Sequence, residues 1–125
     1  MIGEAVGHAE RLASGLVITR TGARAEVFLV LHGEIDCASA PAFLTRLRDE
    51  IDQCDDPIVL DFAQVTFMDS SAISALLRAR ASAGARLRLG PLHPSVRRVL
   101  QMTAVADLFV NADGFTGADR GRDIS

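Results

Sequence analysis

A single small α/β domain, with a mostly parallel sheet and helices packed against it, is the fold this sequence predicts. Three observations carry the prediction. The chain has 125 residues, 49% of them hydrophobic, which suits one sizeable core and leaves little room for a second domain. Short β-prone runs alternate along it with stretches in which apolar residues recur at helical spacing. Strands alternating with helices imply parallel pairing through right-handed crossovers.

The elements follow in order. Residues 1–14 are weakly patterned and are expected to form a loose arm before a domain over 15–111; residues 112–125, rich in Gly and Asp, are expected to fray. Residues 16–19 (LVIT) read as a first strand, 21–24 as a turn and 26–31 (EVFLVL) as a buried strand, together a hairpin. Residues 33–38 read as a loop. Ser39 is placed to cap a helix whose first turn tolerates Pro41 and whose apolar stripe is Phe43, Leu44, Leu47 and Ile51. Asp55-Asp56-Pro57 ends that helix, and residues 58–62 (IVLDF) form a strong strand. After Val65-Thr66-Phe67-Met68, the polar run Asp69-Ser70-Ser71 precedes a helix carrying Ile73, Leu76 and Leu77, which Gly84 stops. Residues 86–89 alternate as a strand, and Pro91 and Pro94 bracket a loop. Val96, Val99 and Leu100 mark a third helix, and residues 108–110 a last short strand.

Composition narrows the function. The net charge of −3 argues against nucleic acid or an anionic membrane as the main partner. No stretch nears the ~20 apolar residues of a membrane span, and the first residues lack the pattern of a signal peptide. With only Cys37 and Cys54, a disulfide framework is not expected and a reducing cytoplasm is the simpler home. Those two cysteines flank a helix of about 15 residues, so roughly 20 Å of helical rise separates them, beyond the reach of an internal bridge. Charge is segregated: residues 51–75 hold five acids and no arginine, and residues 76–100 six arginines and no acid. Solvated faces account for this; the functional alternative is a basic patch for an acidic protein surface.

Catalytic and cofactor chemistry lack their signatures. His32, Glu34 and Asp36 alternate as metal ligands on one strand face would, but Gly33 between them predicts a turn, and no metal site is expected. A serine hydrolase would need a base and an oxyanion hole, yet there is no Gly-x-Ser-x-Gly elbow and neither His32 nor His93 follows a triad order. No phosphate-cradling glycine loop is present, so any nucleotide belongs to a partner. The chain reads as a binding protein with no cofactor, not as an enzyme.

Function in open α/β sheets gathers where strands end and helices begin. Here that point is Phe67-Met68-Asp69-Ser70-Ser71-Ala72. A serine at a helix start either caps free backbone N–H groups or carries a phosphate that those groups and the helix dipole favour. Phe67 and Met68 read as packing residues, or as an interface anchor if one is exposed.

Val59-Leu60-Asp61-Phe62 followed by Phe67-Met68-Asp69-Ser70-Ser71 resembles the signature of STAS domains of the anti-sigma factor antagonist family. Gly33-Glu34-Ile35-Asp36 is similar to that family's Gly-Glu-apolar-Asp turn, and the likeness covers roughly residues 16–110. The resemblance implies a STAS-like fold and a switch. Ser70 is then the phosphate acceptor, with Asp36, Asp69, Ser70, Ser71 and Ala72 on the partner-binding surface. The implied partners are an anti-sigma factor of the histidine-kinase-like ATPase type and a metal-dependent serine phosphatase, and the implied output is sigma-factor-dependent transcription. One residue departs from the pattern: the family usually has glycine where this chain has Ala72. Two alternatives stay open, an accessory subunit of a lipid-transporting ABC complex and a STAS module that binds without being phosphorylated.

Overall fold

The computed structural model describes residues 8–12, 15–23 and 25–109. Five strands form one sheet in sequence order: β1 (His8–Arg11), β2 (Val17–Ala23), β3 (Glu26–Ile35), β4 (Ile58–Met68) and β5 (Leu87–Leu92). Helices α1 (Ala40–Gln53), α2 (Ser70–Ala83) and α3 (Pro94–Met102) follow β3, β4 and β5. The β1–β2 and β2–β3 pairings are antiparallel, and β3–β4 and β4–β5 are parallel. The α/β class holds, and the sheet is mixed rather than mostly parallel. Its antiparallel half comes from the hairpin that the sequence predicts and from β1, which extends it.

The core joins alternate residues of the strands to one stripe of each helix. Val27, Leu29, Leu31 and Ile35 of β3 are buried, with Phe43, Leu47 and Ile51 of α1 and Val96 and Leu100 of α3. Phe43 is fully buried, which stabilises by roughly 1.5–3 kcal/mol relative to leaving it in water. The buried stripe of α2 is smaller than its sequence suggests: Ala72, Ala75, Leu76 and Ala79 pack inward, while Ile73 and Leu77 stay only half-buried. Gly84 ends α2 at φ 63°, as its place in the sequence predicts.

Several boundaries differ from the sequence reading, each for a physical reason. His8–Arg11, inside the expected loose arm, pairs with β2, and Glu10 gains an ion pair to Arg46 at 3.1 Å. Strand β3 does not stop at Gly33 but runs to Ile35. Gly33 adopts φ 124°, and a Cβ there would sit 3.2 Å from the carbonyl of Gly15, so glycine permits a bulge where a break was expected. Ser39 stands before α1 but does not cap it; its buried hydroxyl turns back to donate to the Glu34 carbonyl at 3.1 Å. Pro91 lies in β5, and Pro94 opens α3 behind His93, whose Nδ1 accepts from Ser95 N–H. In place of a last strand, Ala106–Leu108 form a 3-10 turn that delivers buried Phe109. Val110, residues 1–7 and the tail over 112–125 lie outside the described residues.

Between β3 and β4 the register slips twice, after Val30 and after Gly33, and each time β4 advances one extra residue. Inward positions on β4 therefore step from Phe62 to Val65 to Met68, three residues at a time instead of two. Those steps carry Phe67 outward and bring Asp69 to the end of β3.

Candidate functional site

Two parallel strands end side by side at this site. Glu34 pairs with Phe67 and Ile35 with Met68, and the Asp69 N–H donates to the Ile35 carbonyl at 3.3 Å. That bond joins Gly33-Glu34-Ile35-Asp36 to Asp69-Ser70-Ser71, which are more than 30 residues apart in the chain. Each segment then turns into a helix under the control of an aspartate.

At the β4 end, Asp69 is the N-cap of α2, with extended backbone (φ −112°, ψ −171°). Its Oδ1 accepts from Ser71 N–H at 2.8 Å and from Ala72 N–H at 3.2 Å. Capping is thus assigned to Asp69 and not to Ser70. Ser70 is the first helical residue and is exposed, beside the positive end of the helix dipole. Ser71 is half-buried, and Ala72 is fully buried with its methyl in the core. The methyl that replaces the family's usual glycine hydrogen therefore does not project from the surface.

At the β3 end, Asp36 makes an Asx turn: its Oδ1 accepts from Ala38 N–H at 3.0 Å and Ser39 N–H at 3.1 Å. Its carboxylate holds the turn into α1, while Glu34 and His32 point to solvent. Among the described residues no group of three or more His, Cys, Asp and Glu side chains is gathered for a metal ion. Cys37, on the same turn, is exposed; Cys54 is half-buried at the far end of α1, and both are free thiols.

Helix α2 is the ridge of the surface. Ser70, Ser74 and Arg78, at successive turns, are exposed and separate two open grooves. One, of about 480 Å³, lies toward α1 and includes Cys37, Pro41 and Leu44. The other, of about 530 Å³, lies toward α3 and includes Ile73, Leu77 and Val99. Ser70 stands at the head of both. Of the two apolar residues before the serines, Met68 is buried and Phe67 is 46% exposed, one of the few large apolar side chains left at the surface. Neither the Asp69 cap nor the grooves is legible in a motif: Asp and Ser are both good caps, and backbone dihedrals decide between them.

No helix among the described residues is long and apolar enough to cross a membrane. In comparisons with known proteins, the family model for the STAS domain matches residues 17–117. An anti-sigma factor antagonist from Mycobacterium paratuberculosis has a similar structure (TM-score 0.70, 19% identity), the match covering 87% of this chain and 92% of that one. The anti-sigma factor antagonist SpoIIAA in its unphosphorylated form is also similar (TM-score 0.61, 24% identity; 96% and 99% covered). So is the Bacillus cell fate determinant SpoIIAA in its phosphorylated form (TM-score 0.55, 20% identity; 96% and 100% covered). At these identities the structural likeness is one of fold. No curated protein matches the chain in sequence. The family match spans most of the chain and agrees with the mixed sheet and the paired strand ends, and the chain belongs to the STAS domain family.

Proposed function

We propose that this protein is an anti-sigma factor antagonist: it binds an anti-sigma factor kinase of the histidine-kinase-like ATPase type, and phosphate on Ser70 switches the binding off. The observation that carries this reading is the division of labour at the start of α2. Asp69 does the capping, so the exposed Ser70 is free of that role. A phosphate there adds a charge of about −1.5 to −2 without removing a bond the fold uses. The new charge stands beside the Asp69 carboxylate and at the head of both grooves, so it alters the surface a partner meets. Release of the anti-sigma factor's hold on its sigma factor is the output, and a metal-dependent serine phosphatase is the reset. Two open grooves favour a binding role over small-molecule catalysis, which calls for an enclosed pocket near Ser70. The site residues in this reading are Asp36, Asp69, Ser70, Ser71 and Ala72, with Ala72 acting through its buried position.

The test is partner affinity for three proteins, measured by titration calorimetry against the purified anti-sigma factor kinase of the source organism. Wild type and Ser70→Ala are expected to bind alike, and Ser70→Asp at least tenfold more weakly. Incubation with ATP should abolish binding by wild type and leave Ser70→Ala unaffected. Equal affinity for all three, with no phosphate on the Ser70 peptide by mass spectrometry, refutes the switch.

A further inference from the structure

We propose that the groove between α2 and α3 is the seat of an acidic amphipathic helix presented by the partner. This rests on the binding role proposed above and names the chemistry of what is bound. Three observations converge. Ile73 and Leu77 of α2 are only half-buried against the core, and with Val99 of α3 they line the groove. Met102, one helical turn beyond Val99 and next in the chain to the lining residue Thr103, is 78% exposed. The groove follows α2 from Asp69 to Ala81, about 18 Å at the helical rise, which matches a three-turn helix with anchors at i, i+4 and i+7.

Charge selects the sign of that helix. From Asp69 to Thr103 the chain has six arginines and one acid, the Asp69 carboxylate at the groove's head. Three of the six have structural work: Arg86 donates to the carbonyls of Ile51, Cys54 and Asp56, Arg80 lies over the Phe109 ring, and Arg88 reaches the Ala85 carbonyl. Arg78, Arg97 and Arg98 have no ion pair among the described residues; Arg78 lines the groove, and Arg97 and Arg98 add positive charge elsewhere on α3. Glutamates flanking an apolar stripe complement this charge. Phosphate at Ser70 would add negative charge beside Asp69 at the groove's head, which opposes an acidic occupant.

Two synthetic 14-residue stapled helices test this, with the same leucine stripe and either Glu or Lys flanks, titrated into ¹⁵N-labelled protein. The Glu helix should shift the amides of Ile73, Leu77, Ala81, Val99 and Thr103 and bind at least tenfold more tightly than the Lys helix. Arg78→Glu should reverse that preference, and Met102→Ser should weaken binding of both helices; both side chains are exposed, so the fold is expected to survive. No binding by the Glu helix, equal binding of the two, or shifts mapping to the α1 side overturns the assignment. A dimer in sedimentation that buries this groove also overturns it, making a second copy the occupant. If the Glu helix binds as expected but Ser70→Asp leaves its affinity unchanged, the groove stands and the phosphate switch fails.

Discussion

Replacing Asp69 by alanine separates the two roles that meet at the start of α2. Asp69 Oδ1 accepts two backbone N–H groups, and alanine leaves both without a side-chain partner. Loss of an N-cap costs about 0.5–2 kcal/mol, and loss of a negative charge at a helix N-terminus a further few tenths. The Asp69 N–H bond to Ile35 is a backbone bond and survives the change. The expected total is about 1–2 kcal/mol, or a fall in Tm of about 4–8 °C for a domain of this size. Asp69→Asn keeps an acceptor oxygen in the same place and should cost only a few tenths. Ser70→Ala should stay within about 0.5 kcal/mol of wild type, since Ser70 does not cap. Urea unfolding followed by far-UV circular dichroism measures all three. If Ser70→Ala destabilises as much as Asp69→Ala, then Ser70 is a structural cap and the reasoning behind the switch collapses.

Three further substitutions probe the scaffold. Glu50 is 3% exposed yet carries Arg20 and Arg46, each at 3.0 Å, so Glu50→Ala should cost about 1–3 kcal/mol by urea unfolding; the partly exposed arginines regain water, which keeps the loss below that of a sealed pair. A Cβ on Gly90 would lie 2.9 Å from Val59 Cγ1 and 3.2 Å from the Leu60 carbonyl, so Gly90→Ala should destabilise by about 1–3 kcal/mol, and a neutral result would mean that β5 can move away from β4. Helix α3 ends in a Schellman motif, with Val105 N–H on the Leu100 carbonyl, Ala104 N–H on Gln101 and Ala104 at φ 62°. Ala104→Gly relieves a left-handed alanine and should raise Tm by a few degrees; a lower Tm would show that glycine's unfolded-state entropy dominates.

Much of this architecture was open to reading from the residues. Continuous apolar runs announce β3 and β4, and the Phe43-Leu47-Ile51 stripe, Gly84 and Pro94 mark the helices. The sequence also brings attention to Asp69-Ser70-Ser71, because a polar run between a strand and a helix is where a phosphate or a partner finds free N–H groups. Other features depend on contacts that no local pattern encodes. Residues His8–Arg11 look unstructured because an edge strand needs no apolar run; its order comes from pairing with β2 and from the Arg46 ion pair. Gly33 reads as a breaker until the nearby Gly15 carbonyl shows why a side chain is excluded. On α2, periodicity selects Ile73, Leu76 and Leu77 as core; Leu76 does pack inward, but its partners on that stripe are alanines, and Ile73 and Leu77 remain at the groove.

The two register slips in β4 have a consequence for insertions and deletions. Side chains alternate along a strand, and each bulge absorbs one extra residue of β4, so the inward set stays on the core across both slips. Removing one residue between Phe62 and Phe67 with both bulges kept would turn Met68 to water, so such a deletion is tolerated only where it takes a bulge with it. Removing two, one at each bulge, would leave β3 and β4 in unbroken register with Met68 still opposite Ile35. The bulges, and not the bare count from Phe62 to Ser70, therefore set which deletions β4 can absorb.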